Sequence, residues 1–182
     1  MTQSDQPLPQ LRMLWHGGQE PPPVRLPTGY LLRTYRPGDE QPFYALMELA
    51  GWPGWDALRL APWRARMLEN GWFMIDHTAS GQLVAAAMAL TDMGEFGQVG
   101  GELGWVAAHP DHRGRGLGLA VSAAATARMI QQGYPYIHLY TEDYRLAALK
   151  TYLRLGYRPI IEGAGMEKRW QMVHSQLENS SP

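Results

Sequence analysis

"HPDHRGRGLGLAVSAAATA", residues 109–127, sets glycine at 114, 116 and 118 between two arginines and an alanine-rich run. Glycine costs about 1 kcal/mol relative to alanine inside a helix. The alanines nevertheless read as a helix that begins here. Backbone N–H groups at a helix N-terminus lack intrahelical partners, and the helix dipole adds positive character to them. Such an end accepts phosphate. Glycines let a bulky pyrophosphate reach those groups, and Arg113 and Arg115 supply charge. The competing reading is a glycine turn that only permits tight packing. A G-x-x-x-x-G-K-[ST] nucleotide loop is excluded, because its lysine does not follow. The dinucleotide fingerprint G-x-G-x-x-G has a different spacing.

The elements follow outward from this stretch. Downstream, Gly133 closes the alanine-rich helix, and "YIHLYT" (136–141) reads as a buried strand. "YRLAALKTYLRLG" (144–156) reads as a helix with Leu146, Leu149 and Leu153 on one stripe, Tyr152 off that stripe, and Gly156 as its stop. "YRPII" and "EKRWQMVH" read as closing strands. Upstream, "ELGWVAA" (102–108) is a strand that runs into the quoted loop. "GWFMIDH" and "GQLVAAAMAL" are a strand pair, followed by the glycine-rich loop "TDMGEFGQVG". "PWRARMLEN" is a helix begun by Pro62, and "GWPGW" is a loop. "GDEQPFYALMELA" is a helix capped by Asp39, with Phe43, Leu46, Met47 and Ala50 at helical spacing. "YLLRTY" opens the series as a strand. The order predicts an α/β or α+β fold with a mixed sheet.

Residues 1–29 hold six of the 14 prolines and read as an N-terminal extension. Within it "LRMLWH" is a short strand or anchor. The segment is then either a mobile tail or a strap packing Leu14 and Trp15 on the domain. The domain itself spans 30–174, and 175–182 is a polar tail. A formal net charge of −1 argues against a nucleic-acid binder. The absence of cysteine removes disulfides, thiolate metal sites and a cysteine nucleophile, and fits a reducing cytoplasm. No apolar run is long enough for a membrane span, and the N-terminus has no signal-peptide pattern. His109 and His112 flank Pro110 in a turn with no third ligand at a metal spacing, so no metal is expected.

Arg113-x-x-Gly116-x-Gly118 resembles the [Q/R]-x-x-G-x-[G/A] pyrophosphate loop of the GNAT superfamily of N-acetyltransferases, and "VAAHPDH" is similar to the stretch that precedes it. "RLAALKTYLRLGYRP" resembles the second motif, A-x-x-x-Y-x-x-x-G-[F/Y], through Ala148, Tyr152, Gly156 and Tyr157. The resemblance covers about residues 30–174. It implies a twisted mixed sheet of six to seven strands, flanked by helices and split near its centre, with acetyl-CoA in the opening. One departure stands out: where many members carry asparagine seven residues before the tyrosine, this chain has Arg145.

The resemblance implies acetyl transfer to a primary amine of a small molecule or peptide. Val106, Ala107 and Ala108 would pair with the pantetheine arm. Arg113, Gly114, Arg115, Gly116, Leu117, Gly118 and Leu119 would hold the pyrophosphate, with Arg145 as a further cofactor contact or a solvated arginine. Tyr152 is the expected general acid for the departing thiolate. Glu102 is the expected general base; alternation puts it with Gly104 and Val106 on one strand face. Asp92 and Glu95 are fallback bases or acceptor-binding charges. Trp52 and Trp55, in a loop broken by Pro53 and Gly54, are expected to line the acceptor cleft. The expected partners are acetyl-CoA and an amine, with neither nucleic acid nor membrane, in a monomer or homodimer. The rivals are a protein N-terminal or lysine acetyltransferase and a CoA-binding regulatory domain without turnover.

Overall fold

In a computed structural model the chain is described at residues 8–16, 20 and 23–179. The remainder of the proline-rich segment, including Pro21 and Pro22, and the last three residues of the expected tail lie outside the described residues. Among the described residues seven strands form one mixed sheet: β1 (Leu11–His16), β2 (Tyr30–Thr34), β3 (Met67–His77), β4 (Gln82–Asp92), β5 (Gly100–Ala108), β6 (Tyr136–Thr141) and β7 (Arg158–Pro159). Their spatial order is β2-β3-β4-β5-β6-β1-β7. Every pairing is antiparallel except β5 with β6.

Among the described residues five α-helices cover the sheet: α1 (Glu40–Leu49), α2 (Ala57–Arg66), α3 (Leu117–Gln131), α4 (Leu146–Arg154) and α5 (Met166–Asn179). The interior strand β4 shows why three layers form. Ala85, Ala87 and Ala89 point into one core with α3, while Ala86, Met88 and Leu90 point into a second core with α1 and α2. A strand buried on both faces needs no polar alternation, which is what "LVAAAMAL" shows. The small alanine side chains let α3 lie close to the sheet.

Four expectations are corrected. "EKRWQMVH" is not a strand but part of α5: Met166, Trp170 and Val173 are its buried residues, spaced four and three apart, which is a helical period. Helix α5 also carries most of the expected polar tail to Asn179. Helix α2 begins at Ala57, not at Pro62. The Asp56 side chain accepts the Arg59 N–H at 2.8 Å as its N-cap, and Pro62 sits within the helix. "MLEN" belongs to β3, where the register shifts between Met67 and Trp72. Finally, "LRMLWH" is β1 itself, inserted between β6 and β7, so the sheet crosses the boundary expected at residue 29. Leu11, Met13 and Trp15 are buried in alternation, whereas Leu14 faces the other way and is half-buried.

Candidate active site

Strands β5 and β6 pair only at Gly101–Ile137 and Glu102–His138 and then part. A β-bulge lies just beyond that point. From Met88 to Ala86 β4 advances two residues, while β5 advances three, from Gly104 to Ala107. Trp105, within the bulge, has a φ of +50°, an uncommon conformation for a bulky residue and typical of a built feature. The bulge overturns the simple alternation expected for Glu102, Gly104 and Val106, since Trp105 and Val106 both border the opening. The opening is a cavity of about 590 Å³. Along it the β6-facing edge of β5 has no ladder partner from Leu103 to Ala108 among the described residues. Backbone groups at Val106 and Ala108 are thus available to an extended amide-bearing ligand; the Ala107 side chain is buried in the α1/α2 core.

Below the opening, β5 leads through a short 3-10 turn at Pro110–His112 into the glycine loop and α3. His109 is a capping residue there, its Nδ1 accepting the Asp111 N–H. Gly116 is the N-cap of α3 with φ of +75°, a conformation that disfavours a side chain. Around Gly114, Gly116 and Gly118 a Cβ would meet no protein atom within 4 Å. The protein therefore does not need these glycines for its own packing, and the cradle is open to a ligand. First-turn N–H groups face it by helix geometry. Arg115 donates to the Tyr30 hydroxyl at 3.0 Å, and that hydroxyl lies 2.8 Å from His112 Nδ1. Burial and the neighbouring His77, Arg115 and His109 lower the proton affinity of His112, which suits an acceptor role toward Tyr30. Leu117 is buried and Leu119 packs on the core, so only their main chains can serve a phosphate. Donor groups and free space thus fit a pyrophosphate.

The far end of the cavity is acidic and aromatic. Glu102 is buried, and one of its oxygens is ion-paired with Arg66 of α2. Asp92 accepts from the Tyr136 hydroxyl at 2.5 Å and from the Glu95 N–H at 3.1 Å. Glu95 pairs with Arg12 at 3.2 Å. Asp92, Glu95 and Glu102 all border the cavity. Trp52, Trp63 and Trp105 form its wall, with Trp52 and Trp63 each edge-on to Trp105. Trp55 does not border it. Its ring is buried against Phe43 and Trp105 at 5.1 and 4.6 Å. The loop-tryptophan reading thus holds for position 52 in the cavity, while position 55 closes the core. Sequence reasoning grouped Trp63 with Trp52 and Trp55 without naming it as a cleft residue, and passed over Arg66, Trp105 and His138.

Tyr152 borders the cavity near the β5 edge. Contrary to the stripe read in the sequence, it lies on the buried face of α4 with Leu149. Burial pushes its phenol well above the usual range, so the hydroxyl keeps its proton. Arg145 caps α4, pairs with Glu142 at 2.8 Å and stacks on Trp52 at 3.8 Å. It borders the same cavity but is held by protein partners.

Comparison with known proteins gives the same picture. Residues 34–157 match the model of the Acetyltransferase (GNAT) family. The mycothiol acetyltransferase of Thermobispora bispora is 31% identical over 146 residues, covering 75% of this chain and 49% of that protein. That of Saccharomonospora viridis is 31% identical over 154 residues, covering 78% and 50%. The chain spans about half the length of these curated relatives. A GCN5-related N-acetyltransferase from Sphaerobacter thermophilus superposes with a TM-score of 0.68 at 26% identity, over 84% of this chain and 50% of that one.

Proposed function

The chain belongs to the GNAT acetyltransferase family, and from that premise we propose that it transfers an acetyl group from acetyl-CoA to the primary amine of a small molecule. One observation carries the reading: beyond its parting from β6, the free edge of β5 leads through the turn at Pro110–His112 to an open glycine cradle at the N-terminus of α3. A bent, phosphate-ended acyl carrier fits that path. Acetyl-CoA would supply the activated acetyl thioester. The first turn of α3, with Arg113 and Arg115, would hold its pyrophosphate. The exposed edge of β5 at Val106 and Ala108 would hold its amide arm.

The residues around the opening divide the remaining work. An ammonium of ordinary pKa near 10 must lose a proton before its nitrogen can attack. Glu102, at the point where the strands part, would accept that proton. Tyr152, kept protonated by burial, would give one to the departing thiolate. Trp52, Trp63 and Trp105 favour an acceptor with a flat or aliphatic body, and Asp92 and Glu95 favour its positive charge. The opening is a concave pocket of about 590 Å³ and not a flat face, which supports a small acceptor over a folded protein surface. The relatives' name makes the acceptor of mycothiol acetyltransferases a natural member of a test panel.

The test has two arms. Thiol release from acetyl-CoA is followed with tryptamine, glucosamine, spermidine, a lysine peptide and the mycothiol acetyltransferase acceptor. In parallel, CoA at a hundred times its Kd should stabilise the fold by about 2.7 kcal/mol. Absence of a thermal shift with millimolar CoA overturns the cofactor assignment. A shift without turnover favours the regulatory reading.

A further inference from the structure

His138 is the least explained group in the molecule. It is 1% exposed, yet neither ring nitrogen has a hydrogen-bond partner among the described residues. Burying an unpartnered polar group commonly costs about 1–3 kcal/mol. The imidazole also borders the cavity. Its β-ladder partner is Glu102, and paired residues of parallel strands project to the same side of the sheet. Asp92 Oδ2 lies 3.5 Å from Nε2, beyond hydrogen-bonding geometry and close enough for strong electrostatic contact.

We propose that His138 shares with Glu102 the proton that the acceptor amine sheds, the two forming one basic unit that Asp92 completes. This rests on the acetyl-transfer reading above. The proton balance is simple. The ammonium gives one proton to the Glu102–His138 pair, which later releases it to solvent. The free amine forms the C–N bond to the acetyl carbon, and collapse breaks the C–S bond. The second nitrogen proton makes up the one that Tyr152 gives to the thiolate. No oxidant or further reactant is needed.

The geometry explains why two groups are required. One carboxylate oxygen of Glu102 is committed to Arg66, which leaves half of it for a ligand. The imidazole adds a base with no competing bond. Burial lowers its proton affinity below the ordinary value, so it is neutral near pH 7 and can accept. The groups facing it decide how it titrates. Glu102 on β5, Asp92 on β4 and Glu95 in the following loop favour its charged form, while Arg66 on α2 opposes it. Tyr140 of the same strand approaches edge-on at 5.2 Å, Tyr136 at 6.2 Å, and Phe96 at 5.6 Å. Leu14, the β1 residue opposite, is apolar.

Two measurements test the pair. Nitrogen NMR of the free protein follows the His138 ring between pH 4 and 9. Its midpoint should fall by about half a pH unit or more in Glu102→Gln, because the facing negative charge is gone. An unmoved midpoint, or a ring still protonated at pH 8, overturns the proposal. For kinetics, His138→Gln and His138→Asn are assayed with the fastest amine of the panel. We expect kcat/KM to fall about 10- to 100-fold at pH 7 and to recover toward pH 9.5. In Glu102→Gln the same change should cost less than in the parent, as in any unit of coupled groups. A uniform loss across pH, or no loss in either variant, sinks the proposal alone. Loss of turnover on every amine in the unaltered protein sinks the acetyl-transfer reading beneath it, and the thermal shift with CoA shows whether each variant keeps its fold.

Discussion

The Arg145 guanidinium lies 3.8 Å from the centre of the Trp52 ring, which ties the N-terminal end of α4 to the loop between α1 and α2 across the mouth of the cavity. Glu142 holds the same guanidinium from the side at 2.8 Å. A cation over an indole contributes about 0.5–1 kcal/mol at exposed sites and about 2 when desolvated. The contact therefore fixes a wall more than it supports the fold. Trp52→Ala should raise the acceptor KM with little change in melting temperature or CoA affinity. Arg145→Ala should raise it too, and the two effects should not add. Additive effects in a double-mutant cycle would separate the pair.

Trp55 is the opposite case. Its ring fills the core between Phe43 and Trp105. Truncation of a buried large aromatic costs about 3–5 kcal/mol. Trp55→Ala should lower the melting temperature by roughly 5 °C or more and leave the acceptor KM within about twofold when assayed well below the transition. A raised KM with an unchanged melting temperature would return Trp55 to the cleft.

Gly118 separates ligand need from protein need. It occupies the second position of α3, and a Cβ there meets nothing of the protein within 4 Å. Gly118→Ala should stabilise the free protein by up to about 1 kcal/mol, the helix-propensity difference. It should also weaken CoA binding, measured by calorimetry, because the methyl group stands in the cradle. Gain of stability with unaltered CoA affinity would place the pyrophosphate elsewhere. Gly116→Asp, with a carboxylate at the helix end, should abolish the CoA-induced thermal shift outright.

Tyr152→Phe keeps the ring in the core and deletes the hydroxyl proposed as the proton donor. Turnover should fall by about 100-fold, the scale of one acid–base contribution. CoA affinity and melting temperature should scarcely change. Undiminished kcat would leave Tyr152 as packing alone.

Alkaline pH offers a check on the tyrosines. Burial, aided by its bond to Asp92, pushes the Tyr136 phenol up to about 12, against about 10 in the unfolded chain. Burial likewise raises Tyr140 and Tyr157. The unfolded chain therefore binds fewer protons than the folded one above pH 10. The stability these groups contribute is complete below that pH and is lost as it rises toward 12. Urea midpoints between pH 9 and 11.5 should fall, with a shallower slope in Tyr136→Phe. A flat profile in the parent protein would contradict the burial of these phenols.

Much of the site was legible in the sequence because it rests on local backbone chemistry. Three alternate glycines before an alanine run mark the open loop and the start of α3, and the strand read at 102–108 carries Glu102 to the point where β5 leaves β6. What stayed hidden depends on distant pairing. His138 inside "YIHLYT" reads as an ordinary buried histidine until the parallel register sets it beside Glu102. Running "ELGWVAA" and "YIHLYT" in parallel would have exposed that neighbour. Trp52 and Trp55 share one loop, and no local signal says which ring turns inward. Helix α5 was missed because the short window "EKRWQMVH" excludes Met166, which completes the helical period. The start of α2 was missed because Pro62 was weighed above the capping aspartate at 56.

The place of β1 in the sheet bears on how the chain is made. Met13 pairs with Leu139, 126 positions later in the chain. At about 5–20 residues per second of synthesis, that partner emerges roughly 6–25 s after it. For that interval "LRMLW" is an apolar strand without a ladder, the kind of segment that pairs with other chains. Closing so long a loop is also slow, because its entropy is lost before its contacts form. The sheet is thus completed around a strand made well before both of its partners. Aggregation during expression should respond more to a charge introduced at His16, the exposed end of β1, than to any change at the opening between β5 and β6.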